Sequence, residues 1–188
     1  TRSATQRIIR ETLDAMALGG LYDHVGGGFH RYATDAQWRI PHFEKMLYDN
    51  GQLAALYAEA FARSREPQDA FVLRGVLEWT LRDMTSDEGL FFSAIDAEVN
   101  HREGQNYLWT RDQLVATLGP DDGAWAADVF GVDLGPNFTD PHHPEDGPKN
   151  VLFLRARPDE LARELGVDLD AFYERLVTIT ARLREARN

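Results

Sequence analysis

The apolar residues in the first half of the chain recur every three or four positions, a spacing that predicts three α-helices. The first covers residues 3–19 and opens with a capping-box pattern. The second covers residues 41–64, because Pro41 suits the first turn of a helix. The third covers residues 67–85, and its apolar face is broad enough to pack on more than one side. That face comprises Leu73, Val76, Leu77, Trp79, Leu81 and Met84.

The second half of the chain predicts four more helices and little sheet. The helical segments are residues 110–119, 121–131, 158–166 and 168–187, the last with an unbroken apolar stripe. Short strands are predicted at residues 106–109 and 151–154, with a long loop over 132–150 before the second. This pattern predicts an all-α protein of antiparallel helical hairpins, folded as a single domain over residues 1–188.

Composition excludes several classes of function. The chain has 31 acidic and 20 basic residues, and the net charge of −11 argues against a nucleic-acid or anionic-membrane partner. No apolar run approaches the roughly 20 residues of a membrane span and no signal-peptide pattern opens the chain, so we expect a soluble, cytoplasmic protein. The absence of cysteine excludes disulfides and thiol chemistry. A first residue of Thr1 rather than Met suggests a piece of a longer protein.

The segment from Leu21 to Leu56 differs from an ordinary polar loop, because it is rich in aromatic and titratable residues. Three consecutive glycines, Gly26–Gly28, allow positive φ angles and a close approach of the backbone to other groups. Pro41 then fixes φ for a helical turn. We interpret the segment as a functional loop that delivers side chains to the start of a helix. The alternative is a long loop whose aromatic residues only cover a helical core.

A second loop, Gly89–Asp96, repeats features of the first. In Gly28–Asp35 and in Gly89–Asp96, aromatic residues follow the glycine and an aspartate ends the segment seven residues later. Each loop joins two predicted helices, and the two units are separated by about 60 residues, a repeat length typical of stacked helical hairpins.

Two motifs in the first loop carry a resemblance to a known family. The segments GGGFHRY (Gly26–Tyr32) and PHFEKMLYDN (Pro41–Asn50) resemble the spermatogenesis-associated, thioredoxin-domain-containing family. Shorter matches, which extend the resemblance over about residues 10–155, lie at Gly19–Asp23, Gly89–Asp96, Glu103–Thr110 and Lys149–Leu152. The sequence departs from the family pattern at Ile95, where the family has Glu, and at Pro148, where it has Gly. The insert Thr139–Gly147 has no family counterpart.

The resemblance implies a longer parent protein. In that family an N-terminal thioredoxin-like domain is followed by a six-hairpin α/α toroid, of the kind found in N-acylglucosamine 2-epimerases and several glycosidases. This chain then corresponds to the first part of the toroid, a partial (α/α)6 toroid, without the thioredoxin-like domain or the later hairpins. The missing half of the toroid and the thioredoxin-like domain are the partners that the resemblance implies, together with a sugar ligand.

Helix geometry limits which side chains of the first loop can meet. With Pro41 at the first helical position, His42, Lys45 and Asp49 share one face, whereas His42 and Glu44 lie roughly 200° apart around the helix. The predicted catalytic residues are His30, Asp35, His42, Glu44 and Asp49. The predicted substrate-binding residues are Phe29, Arg31, Tyr32, Trp38, Lys45, Tyr48 and Asp96.

Two chemistries suit this set of residues. His30 with His42 suits an epimerase, which moves a proton α to a carbonyl near neutral pH. Asp35 with Asp49 or Asp96 suits a glycosidase, which needs two carboxyl groups beside one bond. The alternative function is a non-catalytic module that binds a sugar, a peptide or a partner domain and is associated with a thioredoxin-like domain.

We expect no metal and no cofactor. The insert residues 140–146 include metal-ligating residue types, but their spacing fits no standard site, and we interpret them as a solvated loop.

Half of a toroid leaves two flanks uncovered. The apolar stripes of residues 71–84 and 169–183 would then be exposed, so we expect this chain to self-associate and to have no catalytic activity by itself.

Overall fold

The computed structural model describes residues 2–187, with side chains from residue 3, and this part of the chain is mostly helical. Its α-helices are α1 (Arg2–Leu18), α2 (Leu47–Ser64), α3 (Pro67–Asp83), α4 (Arg111–Leu118), α5 (Pro120–Val129), α6 (Pro158–Leu165) and α7 (Leu169–Arg187). Its strands are β1 (Tyr32–Ala33), β2 (Pro41–His42), β3 (Lys45–Met46), β4 (Ala94–Ile95), β5 (Glu98–Val99), β6 (Arg102–Glu103), β7 (Leu108–Trp109) and β8 (Asn150–Val151). The predicted helical fold is confirmed. None of these helices is long and apolar enough to cross a membrane.

The predicted start of the second helix is wrong. Helix α2 begins at Leu47, and the six residues from Pro41 to Met46 are extended instead. Strand β2 pairs antiparallel with β1, and β3 pairs antiparallel with β4. The backbone groups of this segment are therefore satisfied by two other parts of the chain, which replace the hydrogen bonds that a first helical turn would make.

The chain divides into two compact units. The first contains the residues up to Tyr22 together with Gly27–Asp96, and the second contains Asp23–Gly26 together with the residues from Ala97 onward. The single-domain organisation inferred from length stays a prediction.

The core of the first unit lies between α1, α2 and α3. Helix α2 is joined to α3 by two residues only, Arg65 and Glu66, so the pair forms a tight helical hairpin. The buried residues that share this core are Leu13, Ala17, Leu21, Tyr22, Phe29, Tyr57, Val72 and Val76. This arrangement places the aromatic loop and the start of α2 on the same core.

The second unit buries the apolar stripe of α7. Its residues Phe172, Leu176, Ile179 and Leu183 are at most 2% exposed. The expectation that the stripe of residues 169–183 is uncovered is therefore wrong, since α4 and α6 pack against α7. Thr110 and Gln113 form the predicted capping box at the start of α4, with reciprocal hydrogen bonds of 3.2 and 2.8 Å.

Candidate functional site

The glycine turn of the first loop lies against α3. Gly27 and Gly28 have φ angles of 79° and 75°. A Cβ atom on Gly27 would meet the carbonyl oxygen of Gly75 at 2.3 Å, and one on Gly28 would meet the ring of Trp79 at 2.7 Å. The turn therefore approaches α3 more closely than any larger residue permits.

Lys45 supports this turn from the interior. Its side chain is buried, its Nζ donates a hydrogen bond to the carbonyl oxygen of Gly27 at 2.8 Å, and it lies 5.4 Å from the centroid of the Trp79 ring. We predicted Lys45 as a substrate-binding residue. With 1% of its surface exposed, it has almost no area with which to contact a ligand.

Asn50 fixes the next part of the loop and was missed by the sequence analysis. Its Nδ2 donates to the carbonyl oxygen of Phe29 at 2.9 Å, and its Oδ1 accepts from the Phe29 N–H at 2.7 Å. The side chain thus pairs with Phe29 as a neighbouring strand would. A polar residue within the apolar face that continues to Leu53 and Tyr57 was the signal that could have identified Asn50.

His30 is buried and engaged with the backbone. Its Nδ1 lies 2.9 Å from the carbonyl oxygen of Phe43, and its ring meets the Phe43 ring edge-on at 5.4 Å. Only 3% of its surface is exposed. This predicted catalytic residue therefore packs within the first unit.

The extended segment from Pro41 to Met46 alternates between buried and partly exposed side chains. Phe43 and Lys45 are buried, whereas His42 and Glu44 are partly exposed. His42 Nε2 lies 3.3 Å from Glu44 Oε2. The helical prediction that separated these two residues by roughly 200° is therefore wrong, since residues i and i+2 lie on the same side of an extended chain.

Arg31 also contacts the Glu44 carboxylate. Its Nη1 donates to Glu44 Oε2 at 2.8 Å, and its backbone N–H donates to the Glu44 carbonyl oxygen, also at 2.8 Å. The ring of Tyr32 stacks on the ring of His42 with centroids 5.0 Å apart. Arg31, Tyr32, His42 and Glu44, all in the predicted set, thus form one surface cluster.

The first turn of α2 adds Tyr48 and Asp49 to this cluster. The hydrogen bond that Arg31 donates to Glu44 is the main cause that raises the pKa of Arg31, and Tyr48 contributes in the same direction. Burial raises the pKa of Asp49, and the positive charge of Arg31 opposes that rise. Tyr48 is 53% exposed, so its ring is available to a ligand.

The second aromatic loop is hydrogen-bonded to the same segment. Lys45 pairs with Ile95 and Met46 with Ala94, and the Leu47 N–H donates to the Ser93 carbonyl oxygen at 2.9 Å. The second loop therefore lies beside the segment from Pro41 to Met46, which itself pairs with Tyr32 and Ala33 of the first loop. Asp96 follows β4 directly and is exposed.

Three other residues of the predicted site, Asp35, Phe29 and Trp38, make contacts that support the fold of the first unit. Both carboxylate oxygens of Asp35 accept backbone N–H groups of its own loop, from Gln37, Arg39 and Ile40. Phe29 is fully buried, with the rings of Tyr22 and Tyr57 at 5.1 and 5.5 Å. Trp38 is partly buried and packs against the core of the first unit.

The insert of residues 139–147 is held in place within the second unit. Asp140 is 7% exposed and accepts hydrogen bonds from the His142 N–H at 2.8 Å and from His143 Nδ1 at 3.0 Å. Burial alone would raise the pKa of Asp140, but these bonds outweigh it and lower the pKa. Asp146 pairs with Arg102 at 2.7 Å. Five of the nine residues of the insert are nevertheless exposed, namely Thr139, Pro141, His142, Pro144 and Glu145. The described residues contain no group of three or more His, Cys, Asp or Glu side chains that could hold a metal ion.

Comparisons with known proteins support the resemblance seen in the motifs. No protein-family model matches the chain. Spermatogenesis-associated protein 20 of Homo sapiens and that of Mus musculus are each 36% identical to it over 98% of the chain. An uncharacterised protein of Caenorhabditis elegans is 35% identical over 82% of the chain. The chain spans about a quarter of the length of these curated relatives, 26% of the two mammalian proteins and 24% of the nematode one. Over its own length, this chain belongs to the spermatogenesis-associated protein 20 family.

Proposed function

We propose that the surface formed by Arg31, Tyr32, His42, Glu44 and Tyr48 binds a carbohydrate. The observation that supports this function best is the convergence of Arg31 and His42 on one oxygen of Glu44, at 2.8 and 3.3 Å. Polar groups fixed in this way present donors and acceptors in a set geometry, which suits the hydroxyl groups of a sugar.

The aromatic side chains of the cluster suit the apolar faces of a sugar ring. Tyr32 and Tyr48 are 50% and 53% exposed, although large aromatic rings are usually more buried in a soluble protein. Each ring carries a phenolic hydroxyl group that can also form hydrogen bonds. A polar centre flanked by two exposed tyrosines therefore favours a sugar over a purely apolar ligand.

Binding is a better-supported function than catalysis for this surface. Of the five residues predicted as catalytic, His30 packs against Phe43 and Asp35 holds its own loop. Their side chains do not join the cluster. A catalytic function would therefore depend on His42, Glu44 and Asp49.

One observation favours acid–base chemistry as a second candidate function. Burial raises the pKa of Asp49, so this carboxyl group keeps its proton to a higher pH than an ordinary aspartate. A general acid for sugar chemistry needs such a shift, and the Glu44 carboxylate in the same cluster could act as the base. In this scheme Asp49 gives its proton to the leaving oxygen and Glu44 accepts one from a water molecule.

We further infer that the helical hairpins belong to a partial α/α toroid in a longer protein that also has a thioredoxin-like domain. The tight hairpin of α2 and α3 and the still shorter connection of α4 and α5 at Gly119 support the inference. The full-length parent protein provides the test. A structure with six helical hairpins in a ring would support it, and a parent in which this segment stands apart from other helices would contradict it.

Saturation-transfer difference NMR with a panel of neutral sugars, N-acylated amino sugars and sugar phosphates tests the binding function. At least one class should show transfer to ring protons. Tyr48→Ala and Glu44→Gln should each weaken that binding by about 10-fold, a typical cost of one ligand contact or charged hydrogen bond. Glu59→Gln, the same change in an exposed glutamate farther along α2, serves as the matched control and should bind normally.

Two results would contradict the binding proposal. One is the absence of transfer for every class of sugar at millimolar concentration. The other is a bound sugar whose affinity is unchanged in both site variants. The same spectra report the acid–base function, because a new anomeric or epimeric signal that grows with time and disappears in Asp49→Asn would demonstrate turnover.

A further inference from the structure

A row of accessible side chains runs from the first loop to the second in the first unit. The surface row comprises Arg31, Tyr32, His42, Glu44, Tyr48 and Phe92. At one end, the ring of Tyr32 stacks on the ring of His42. His42 Nε2 and Arg31 Nη1 then meet at one oxygen of Glu44, at 3.3 and 2.8 Å. Tyr48 comes next, since it lies close enough to Arg31 to help raise the pKa of that side chain.

Phe92 forms the other end of the surface row. The Leu47 N–H donates to the Ser93 carbonyl oxygen at 2.9 Å. Tyr48 and Phe92 are the next residues on either side of this hydrogen bond, and because β3 and β4 are antiparallel, their backbones lie side by side. Phe92 is 53% exposed, and its N–H is fixed by the carbonyl oxygen of Met84 at 2.8 Å. The row therefore has an exposed aromatic residue at each end.

The surface between the polar centre of the row and Phe92 is shallow. Met46 pairs with Ala94, and directly paired residues of antiparallel strands place their side chains on the same face. Ala94 is exposed and has a small side chain, and Met46 is partly exposed. The same register, extended by one residue, brings the exposed Asp96 opposite Glu44. A ligand that lies across this surface meets a small apolar side chain and carboxylates that accept hydrogen bonds from hydroxyl groups.

We propose that the surface row binds a linear oligosaccharide rather than a single sugar, an inference that rests on the carbohydrate-binding function proposed above. The extended chain from His42 to Met46 spans about 13 Å, which is more than one sugar ring covers. Tyr32 lies at one end of this length and Phe92 beyond the other, so each can stack on a different sugar unit. A single sugar at the polar centre would leave at least one of these two rings without a ligand contact.

Isothermal titration calorimetry with sugars of increasing length tests the proposal. The ligands are glucose, N-acetylglucosamine and the soluble oligomers of cellulose and of chitin. In the series that binds better, the affinity should rise by about 10-fold or more from the monosaccharide to the tetrasaccharide, because each further stacked ring contributes to binding. A proline-rich peptide is titrated in parallel, since such peptides also bind to rows of aromatic side chains.

Phe92→Ala distinguishes the long ligand from the single sugar. This variant should bind the tetrasaccharide about 3- to 10-fold more weakly and the monosaccharide with unchanged affinity, because only the longer ligand reaches the Phe92 ring. Glu44→Gln should weaken the binding of both ligands. Phe91→Ala is the matched control, because Phe91 is 59% exposed but successive side chains of an extended segment point to opposite faces. It should bind both ligands normally, and circular dichroism of each variant confirms that the helices remain folded.

The other outcomes separate this inference from the function on which it rests. If monosaccharides bind as tightly as their oligomers, or if Phe92→Ala binds the tetrasaccharide normally, the oligosaccharide proposal is wrong and the carbohydrate-binding function stands. If no sugar of any length binds, both are wrong. An equal loss of affinity in Phe91→Ala would mean that the fold of the loop, rather than the Phe92 ring, determines binding, and would also reject the proposal. Binding of the peptide alone, weakened by Phe92→Ala, would assign the surface row to a protein partner instead.

Discussion

His42 and Glu44 are separated by one residue and lie on the same side of an extended segment, with His42 Nε2 3.3 Å from Glu44 Oε2. The same two residues would be roughly 200° apart in an α-helix. The candidate site therefore depends on the two short strand pairs that keep Pro41–Met46 extended. Their pairing partners are β1 and β4, which precede and follow this segment in the chain.

Replacement of Lys45 should destabilise the first unit. Lys45→Ala removes the buried stem and the hydrogen bond to Gly27, and we expect a loss of about 3 kcal/mol in the free energy of unfolding. Lys45→Met keeps the stem and should cost about 1–2 kcal/mol. Urea denaturation measures both values. Arg74→Ala, at an exposed position on α3, is the control. If Lys45→Met loses no more free energy of unfolding than this control, the buried ammonium group contributes nothing to stability.

Trp38→Ala and Tyr32→Ala should affect stability differently. Trp38 packs against the core, so its removal should cost about 2–3 kcal/mol. Tyr32 is 50% exposed, and its removal should cost less than about 1 kcal/mol. Thermal denaturation of the two variants against the wild type provides the comparison. If the loss for Tyr32→Ala equals that for Trp38→Ala, Tyr32 is a structural residue and its place in the proposed sugar site is lost.

Local periodicity was sufficient to predict most of the helices but not the segment from Pro41 to Met46. The stripe of α7 and the capping box at Thr110 depend on neighbours within one or two turns, and both were visible in the sequence. Residues 41–42 pair with β1, which lies shortly before them in the chain, and residues 45–46 pair with β4, which lies far beyond them in the chain. Such pairing overrides the local preference that Pro41 suggests, and no local spacing reveals it.

The same limit explains which residues of the predicted site remain accessible and which are buried. Arg31, Glu44 and Tyr48 are polar or aromatic residues that remain accessible, as a candidate site requires. His30 and Lys45 have equally reactive side chains, but they are buried by partners that the sequence does not indicate, the Phe43 carbonyl and the Gly27 carbonyl. Residue type suggested the chemistry of each position, whereas tertiary contacts decided its exposure.

Asp23 and Arg187 should couple strongly in the second unit. Arg187 Nη1 lies 2.9 and 3.0 Å from the two carboxylate oxygens of Asp23, and both side chains are at least nine-tenths buried. Removal of either partner leaves the other charged group buried without its counter-charge, so Asp23→Ala and Arg187→Ala should each cost about 3 kcal/mol. In a double-mutant cycle by urea denaturation the double variant should cost little more than either single one. Additive losses would mean that the two groups act independently. The exposed pair Arg111 and Asp133 is the control and should couple by less than about 1 kcal/mol.

Asp49→Asn should reduce the dependence of stability on pH. Burial raises the pKa of Asp49 above its ordinary value of 3.8, against the attraction of Arg31. A carboxyl group with a raised pKa in the folded state contributes its stability at pH values below 3.8 and loses it as the pH rises through the folded value. The wild type should therefore lose stability relative to Asp49→Asn between about pH 4 and pH 7, by less than about 1 kcal/mol because the group is partly exposed. Urea denaturation of both proteins at several pH values measures the difference. If Asp49→Asn instead becomes the less stable protein as the pH rises, the attraction of Arg31 outweighs burial, and Asp49 has no special capacity to hold a proton for acid catalysis.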